Sequence, residues 1–196
     1  MQDQVEIFEA AEAHDPRLRR LHDYWREKCG DRQFPDRGDL DPVDFPYILG
    51  FVTMVDVIDV DLPVLNTAPS NPPPQSPAAP ERTSGTPALS SAQPGRRYYF
   101  RLDGSRLVEL SGIDYSRRYL DELPWPDYVD FIRWTYDEAI RRKRPFGYRR
   151  EGNIDEHSFD EETVIFPLGS NSGRIEKLMV AVIPGELDPA VTPVIL

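Results

Sequence analysis

The side chains able to do chemistry are few and scattered. Cys29 is the only cysteine, and His14, His22 and His157 are the only histidines. A lone cysteine excludes an intrachain disulfide and any multi-cysteine metal site. His157 stands in the stretch IDEHSFDEE beside Asp155, Glu156 and Asp160. That stretch lacks the glycine and ligand spacing of a calcium loop, so it reads as a solvated acidic loop, and no metal is expected. No phosphate-binding glycine loop, dinucleotide turn or Ser/His/Asp order occurs. Carboxylates are plentiful, yet no two are marked out as general acid and base, so no enzyme is expected, and an enzyme on a related α+β fold is the weaker alternative. Binding chemistry remains. The basic run Arg141–Arg144 either complements a helix dipole or, with Arg149 and Arg150, forms a patch for a nucleotide messenger or an acidic partner.

Charge narrows the partners. The chain has 196 residues and a formal net charge of -11. Residues 96–150 carry 13 basic and 9 acidic groups, while residues 1–65 carry 7 and 15 and residues 151–196 carry 2 and 9. An acidic protein repels phosphate backbones, so nucleic acid is not an expected partner. The single cysteine fits a reducing, cytoplasmic setting. The acidic opening MQDQVEIFEAAEAHD has no apolar core, so it is not read as a signal peptide. No apolar run approaches the roughly 18 residues of a membrane-spanning helix.

The elements that must position these groups follow from pattern. Asp15 and Pro16 open an amphipathic helix over Pro16–Cys29, which Gly30 stops. Leu18, Leu21 and Trp25 form its stripe, which serves either its own domain or a homodimer contact. Asp41-Pro42 opens a short helical segment, and Phe51–Val60 reads as a strand with apolar side chains on both faces. Residues 66–95 hold eight prolines and almost no large apolar side chain. They are expected to be a disordered insertion in a hairpin loop, acting as a spacer or as a polyproline ligand. Tyr98–Leu102 alternates apolar and polar, a turn follows at Asp103-Gly104, and Asp127 is expected to cap a strong helix over Tyr128–Arg144. Three strands close the pattern, at roughly Phe146–Glu151, Ser158–Leu168 and Arg174–Ile183.

Two strands come first, three come last, and helices lie between. This predicts an α+β domain with a five-stranded antiparallel sheet and helices on one face, preceded by the amphipathic helix. The expected organisation is an N-terminal helix and linker over 1–38, the domain over 39–184, and a tail over 185–196. The tail, which ends Val194-Ile195-Leu196, either covers the domain edge or docks elsewhere.

Four segments carry a resemblance: LHDYW (Leu21–Trp25), DRQFPDRGDLDP (Asp31–Pro42), YFRLDGSRLVELSGIDYSRRYLDEL (Tyr99–Leu123) and FPLGSNSGRIEKLMVAVIP (Phe166–Pro184). In their order and spacing, over residues 17–184 without the insertion, the chain resembles the stand-alone PAS-like sensory domains common in alphaproteobacteria. The resemblance implies the PAS fold and a role in bacterial signalling through a regulatory protein partner, with or without a small ligand held between sheet and helices. It also implies where cofactors would sit. Haem-binding PAS domains use a histidine on the long helix, and none occurs in Tyr128–Arg144. Flavin photosensors of this fold need a cysteine in a short helix, and Leu107–Leu123 has none. Both cofactors are therefore not expected. The implied pocket gathers Leu102, Leu107, Tyr119, Phe131, Thr135, Phe166 and Met179, which form either a ligand site or a filled core.

Overall fold

Asp15 starts the first helix as its type requires. Its carboxylate accepts the Arg17 backbone N–H at 2.7 Å, and Pro16 fills the first turn, where no N–H is needed. Gly30 ends the helix at a φ of 55°. The computed structural model describes residues 4–60, 95–154, 157–169 and 173–185, and in it this helix, α1, spans Pro16–Cys29. The insertion (all but residue 95), Asp155 and Glu156 of the acidic loop, and the C-terminal tail beyond residue 185 lie outside the described residues.

Six strands form one antiparallel sheet: β1 (Gln4–Glu9), β2 (Val52–Asp59), β3 (Arg96–Leu102), β4 (Phe146–Ile154), β5 (His157–Gly169) and β6 (Ile175–Pro184). Their order across the sheet is β1-β4-β5-β6-β2-β3. Helices α2 (Ser105–Ser111) and α3 (Pro126–Arg142) lie in sequence between β3 and β4. The residues flanking the insertion pair across a hairpin, Asp59 with Arg96. Among the described residues no helix is long and apolar enough to cross a membrane.

The sixth strand corrects the expectation of five. Residues 4–9 pair with β4 from Gln4↔Glu151 to Glu9↔Phe146. Acidic side chains at every third position hide this strand from a hydrophobic pattern. It is held by what it meets: Phe8 is buried, with the Arg149 guanidinium carbon 4.1 Å from its ring centre. Glu162 then accepts the backbone N–H groups of His14 and Asp15 at 2.6 and 2.8 Å.

The amphipathic helix that precedes the domain also packs on the sheet, on the face away from α3. The Trp25 ring lies 6.4 Å from that of Phe166 on β5, and its Nε1 donates to the Pro167 carbonyl at 3.0 Å. Phe131 of α3 meets Tyr148 of β4 edge-on at 5.2 Å, and Tyr148 is the register partner of Thr163. Thr163 and Phe166 are an odd number of residues apart on one strand, so they point to opposite faces. Helix α1 therefore covers one face of the sheet and α3 the other. Strands β5 and β6 are apolar on both sides because both sides are covered.

Strand β1 and helix α1 both pack on the sheet. Leu18 and Leu21 have no exposed surface and Trp25 keeps 4%. Burying each leucine contributes about 1.5–3 kcal/mol. The stripe is spent on its own domain, and Leu18, Leu21 and Trp25 are not available to a second copy. Cys29 is buried, and burial pushes its thiol pKa up. At the start of α3, Pro126 takes the first helical position, so Asp127 sits in the first turn instead of capping it.

Candidate functional site

The polar groups of the sheet are sorted by a repeat of like charges. Arg149-Arg150 on β4 stands in register with Glu161-Glu162 on β5, Arg149 opposite Glu162 and Arg150 opposite Glu161. Neighbours on a strand point to opposite faces, so each face receives one arginine and one glutamate. On the α1 face, Arg149 Nη2 meets Glu162 Oε1 at 2.9 Å and Arg149 Nη1 meets Glu6 Oε2 at 3.1 Å. That cluster ties the N-terminal strand to the sheet.

The other pair points into the interface with α3. Arg150 is 5% exposed. Its guanidinium carbon stands 4.3 Å from the Phe131 ring centre and 5.5 Å from that of Tyr128, so α3 contributes two aromatic faces to the cation. Tyr148, two residues earlier on β4, is buried beneath Phe131. Glu161 completes the group. Burial pushes its carboxyl up to about 7, against the opposing pull of the Arg150 charge and the Tyr148 hydroxyl. Burial also holds the phenols of Tyr128 and Tyr148 well above their ordinary range, so they remain protonated donors at neutral pH.

Two polar atoms of β5 in this interface, Glu161 Oε1 and Thr163 Oγ1, are buried without a hydrogen-bond partner among the described residues. Leaving such an atom unmatched costs about 1–3 kcal/mol. Tyr136 on α3 extends the cluster: burial raises its phenol, and the carboxyls of both Glu161 and Asp103 add to that effect. Its ring meets Tyr98 at 5.1 Å. Asp103 is fixed by three bonds, accepting from Thr53 Oγ1 at 2.7 Å, Gly104 N at 3.1 Å and Tyr115 N at 3.3 Å. The turn it holds lies backbone-to-backbone on residues 50–52, and a Cβ at Gly104 would strike the Gly50 carbonyl. Chemically, the arrangement offers a neutral-to-acidic acceptor, a fixed cation and phenol donors among aromatic faces.

The pocket expected from sequence is divided by the sheet. Phe131 and Thr135 lie on the α3 side, although Thr135 spends its hydroxyl on the Ile132 carbonyl at 2.8 Å. Phe166 and its register partner Met179 face α1 instead. Leu102 is exposed, and Leu107 lies half-buried on α2. Tyr119 bridges to Tyr99 at the edge of β3, with the Arg97 guanidinium 3.7 Å from its ring centre. In strands apolar on both faces, residue type does not reveal parity, so a pocket list read from such strands mixes the faces. Arg150 was named only as part of an anion patch, and Glu161, Tyr128, Tyr148 and Tyr136 were missed. Their one sequence signal is the mirrored RR and EE pair, which has meaning only once the hairpin register is known.

The basic run is also broken up. Arg141 and Arg142 bond Glu138, which they hold down at about 2, and Arg144 meets Glu9 at 2.9 Å. With Arg149 and Arg150 on opposite faces, these arginines do not form one anion patch. Comparison with protein-family models, with curated proteins and with solved structures finds no match to the chain.

Proposed function

We propose that the chain is a cytoplasmic PAS-like regulatory protein, acting through protein contacts and gated by a small ligand received between α3 and strands β4 and β5. The observation that carries the reading is the buried Arg150–Glu161–tyrosine cluster with two unmatched acceptor atoms on β5. A core built only for stability does better with apolar side chains at such positions. A ligand donating hydrogen bonds to Glu161 Oε1 and Thr163 Oγ1 would satisfy both atoms, and the tyrosines would enclose its apolar body. Binding is the reading taken because the phenols of Tyr128 and Tyr148 stay protonated at neutral pH and the arginine does not release its proton, which leaves Glu161 without a second titrating group beside it. The element order supports the PAS reading, with a hairpin before the helices and three strands after them.

The test compares native and denatured masses of the wild-type protein with those of a Glu161→Gln, Thr163→Val double variant, with absorbance spectra alongside. Extra mass on the native wild type that the variant lacks supports a gated protein. If both carry no adduct, and neither melting temperature responds to a metabolite library, the interior is a filled core and the output depends on protein contacts alone.

A further inference from the structure

We infer that helix α2 and the adjoining end of β3 form a docking surface for an acidic protein segment with apolar anchors. This names the partner chemistry of the regulatory reading above and rests on it, but it uses none of the interior residues. The starting point is that α2, SRLVELS, buries no residue at all. A helix carrying Leu107, Val108 and Leu110 ordinarily gains its stability by burying them. Here Leu107 and Val108 are only half-covered, and Leu110 is 40% exposed. The patch continues at both ends. Leu102, just before the turn into α2, is 47% exposed, and Leu49 lies exposed in the 3-10 turn that packs on α2. Large apolar side chains gathered in this way mark interaction sites more often than those scattered singly.

The rim decides the partner. Arg101 and Arg106 are mostly exposed beside Leu102 and Leu107, each answered by one carboxylate, Asp56 and Glu109. Arg117 and Arg118 are exposed as well, and the carboxylate that answers them is the exposed Asp114, held down first by its bonds to Ser116 and further by these two arginines. The backbone places them there: the Arg117 N–H bonds the Phe100 carbonyl at 2.7 Å, and Phe100 N–H bonds the Arg118 carbonyl at 2.9 Å. Both arginines thus line the edge of β3 next to Arg101 and Leu102. Arg117 also holds a φ of 67°, a conformation that glycine adopts without penalty. An exposed arginine kept at a glycine-like φ is the kind of strain that function retains. Apolar anchors ringed by exposed arginines complement acidic side chains around leucine-like ones.

The test is fluorescence polarisation with a labelled helix-forming peptide that carries leucines at spacings of three and four and glutamates elsewhere. Its counterpart with lysines in place of glutamates serves as control. Both Leu110→Asp and Arg118→Glu change exposed side chains, and circular dichroism melts confirm that the variants fold. The expected result is saturable binding of the acidic peptide only, weakened about tenfold by Leu110→Asp. Arg118→Glu is expected to weaken it by about fivefold at low salt and less at high salt. Equal binding of the lysine peptide, or unchanged binding in both variants, overturns the inference. So does preferential binding to phosphatidylglycerol vesicles, or sedimentation showing that the same residues mediate self-association. The mass comparison of the interior site is independent of these readings, so failure here leaves the ligand proposal standing.

Discussion

Replacing Glu161 with glutamine should make the protein more stable at neutral and alkaline pH. In the unfolded chain Glu161 titrates near 4.5, and in the fold burial raises it to about 7. Between those values the folded state binds the extra proton, so stability falls as pH rises through the window and levels off above it. The shift corresponds to about 3 kcal/mol. Glutamine mimics the protonated carboxyl at every pH. The variant should therefore match the wild type below about pH 4.5 and exceed it by about 3 kcal/mol at pH 8. Arg150 stays between Phe131 and Tyr128 in both proteins, so the attraction it loses is already contained in the raised value. The assay is urea unfolding followed by tryptophan fluorescence at intervals from pH 5 to pH 8, taking the difference between the two proteins so that other titrating groups cancel. A variant less stable than wild type at pH 8, or a difference independent of pH, would refute the reasoning and place Glu161 in a favourable ion pair. Stabilisation joined to loss of a bound adduct would indicate a residue kept for function at a cost in stability.

Leu21→Ala should cost about 2–5 kcal/mol because it empties a fully buried site. In chemical denaturation Leu21→Asp should appear unfolded, not as a folded monomer released from a dimer. Asp103→Ala removes the acceptor of Thr53, Gly104 and Tyr115 and should cost about 1–3 kcal/mol. Its signature is faster hydrogen exchange at the Tyr115 and Gly104 amides, and unchanged exchange there would reject the anchoring role. Glu162→Ala should raise deuterium uptake over residues 4–15, since it frees the His14 and Asp15 amides and loosens Arg149. Uptake equal to wild type would mean that β1 holds without that carboxylate.

Local chemistry was legible where one residue type settles the question. Asp15, Pro16 and Gly30 bound α1 as expected, because a cap needs only its own side chain and the next few amides. The alternation from Tyr98 to Leu102 places Tyr98 and Phe100 inward, as a strand with one buried face requires. The five strands expected from hydrophobic runs all occur, in an α+β fold. Chain order alone did not show that α1 takes the far face of the sheet, or that an acidic N-terminal strand closes its edge. Both depend on surfaces that exist only after β4, β5 and β6 have paired. The interior cluster depended most on tertiary structure. Arg149 and Arg150 are chemically the same, as are Glu161 and Glu162, and nothing local distinguishes the member that faces solvent-side acids from the member that faces α3. Hairpin register and strand parity make that choice, since a shift of one residue would exchange the two faces. Local residue patterns established α1, α3 and the five apolar strands with their charges, while the paired sheet decided which arginine and which glutamate share the buried space.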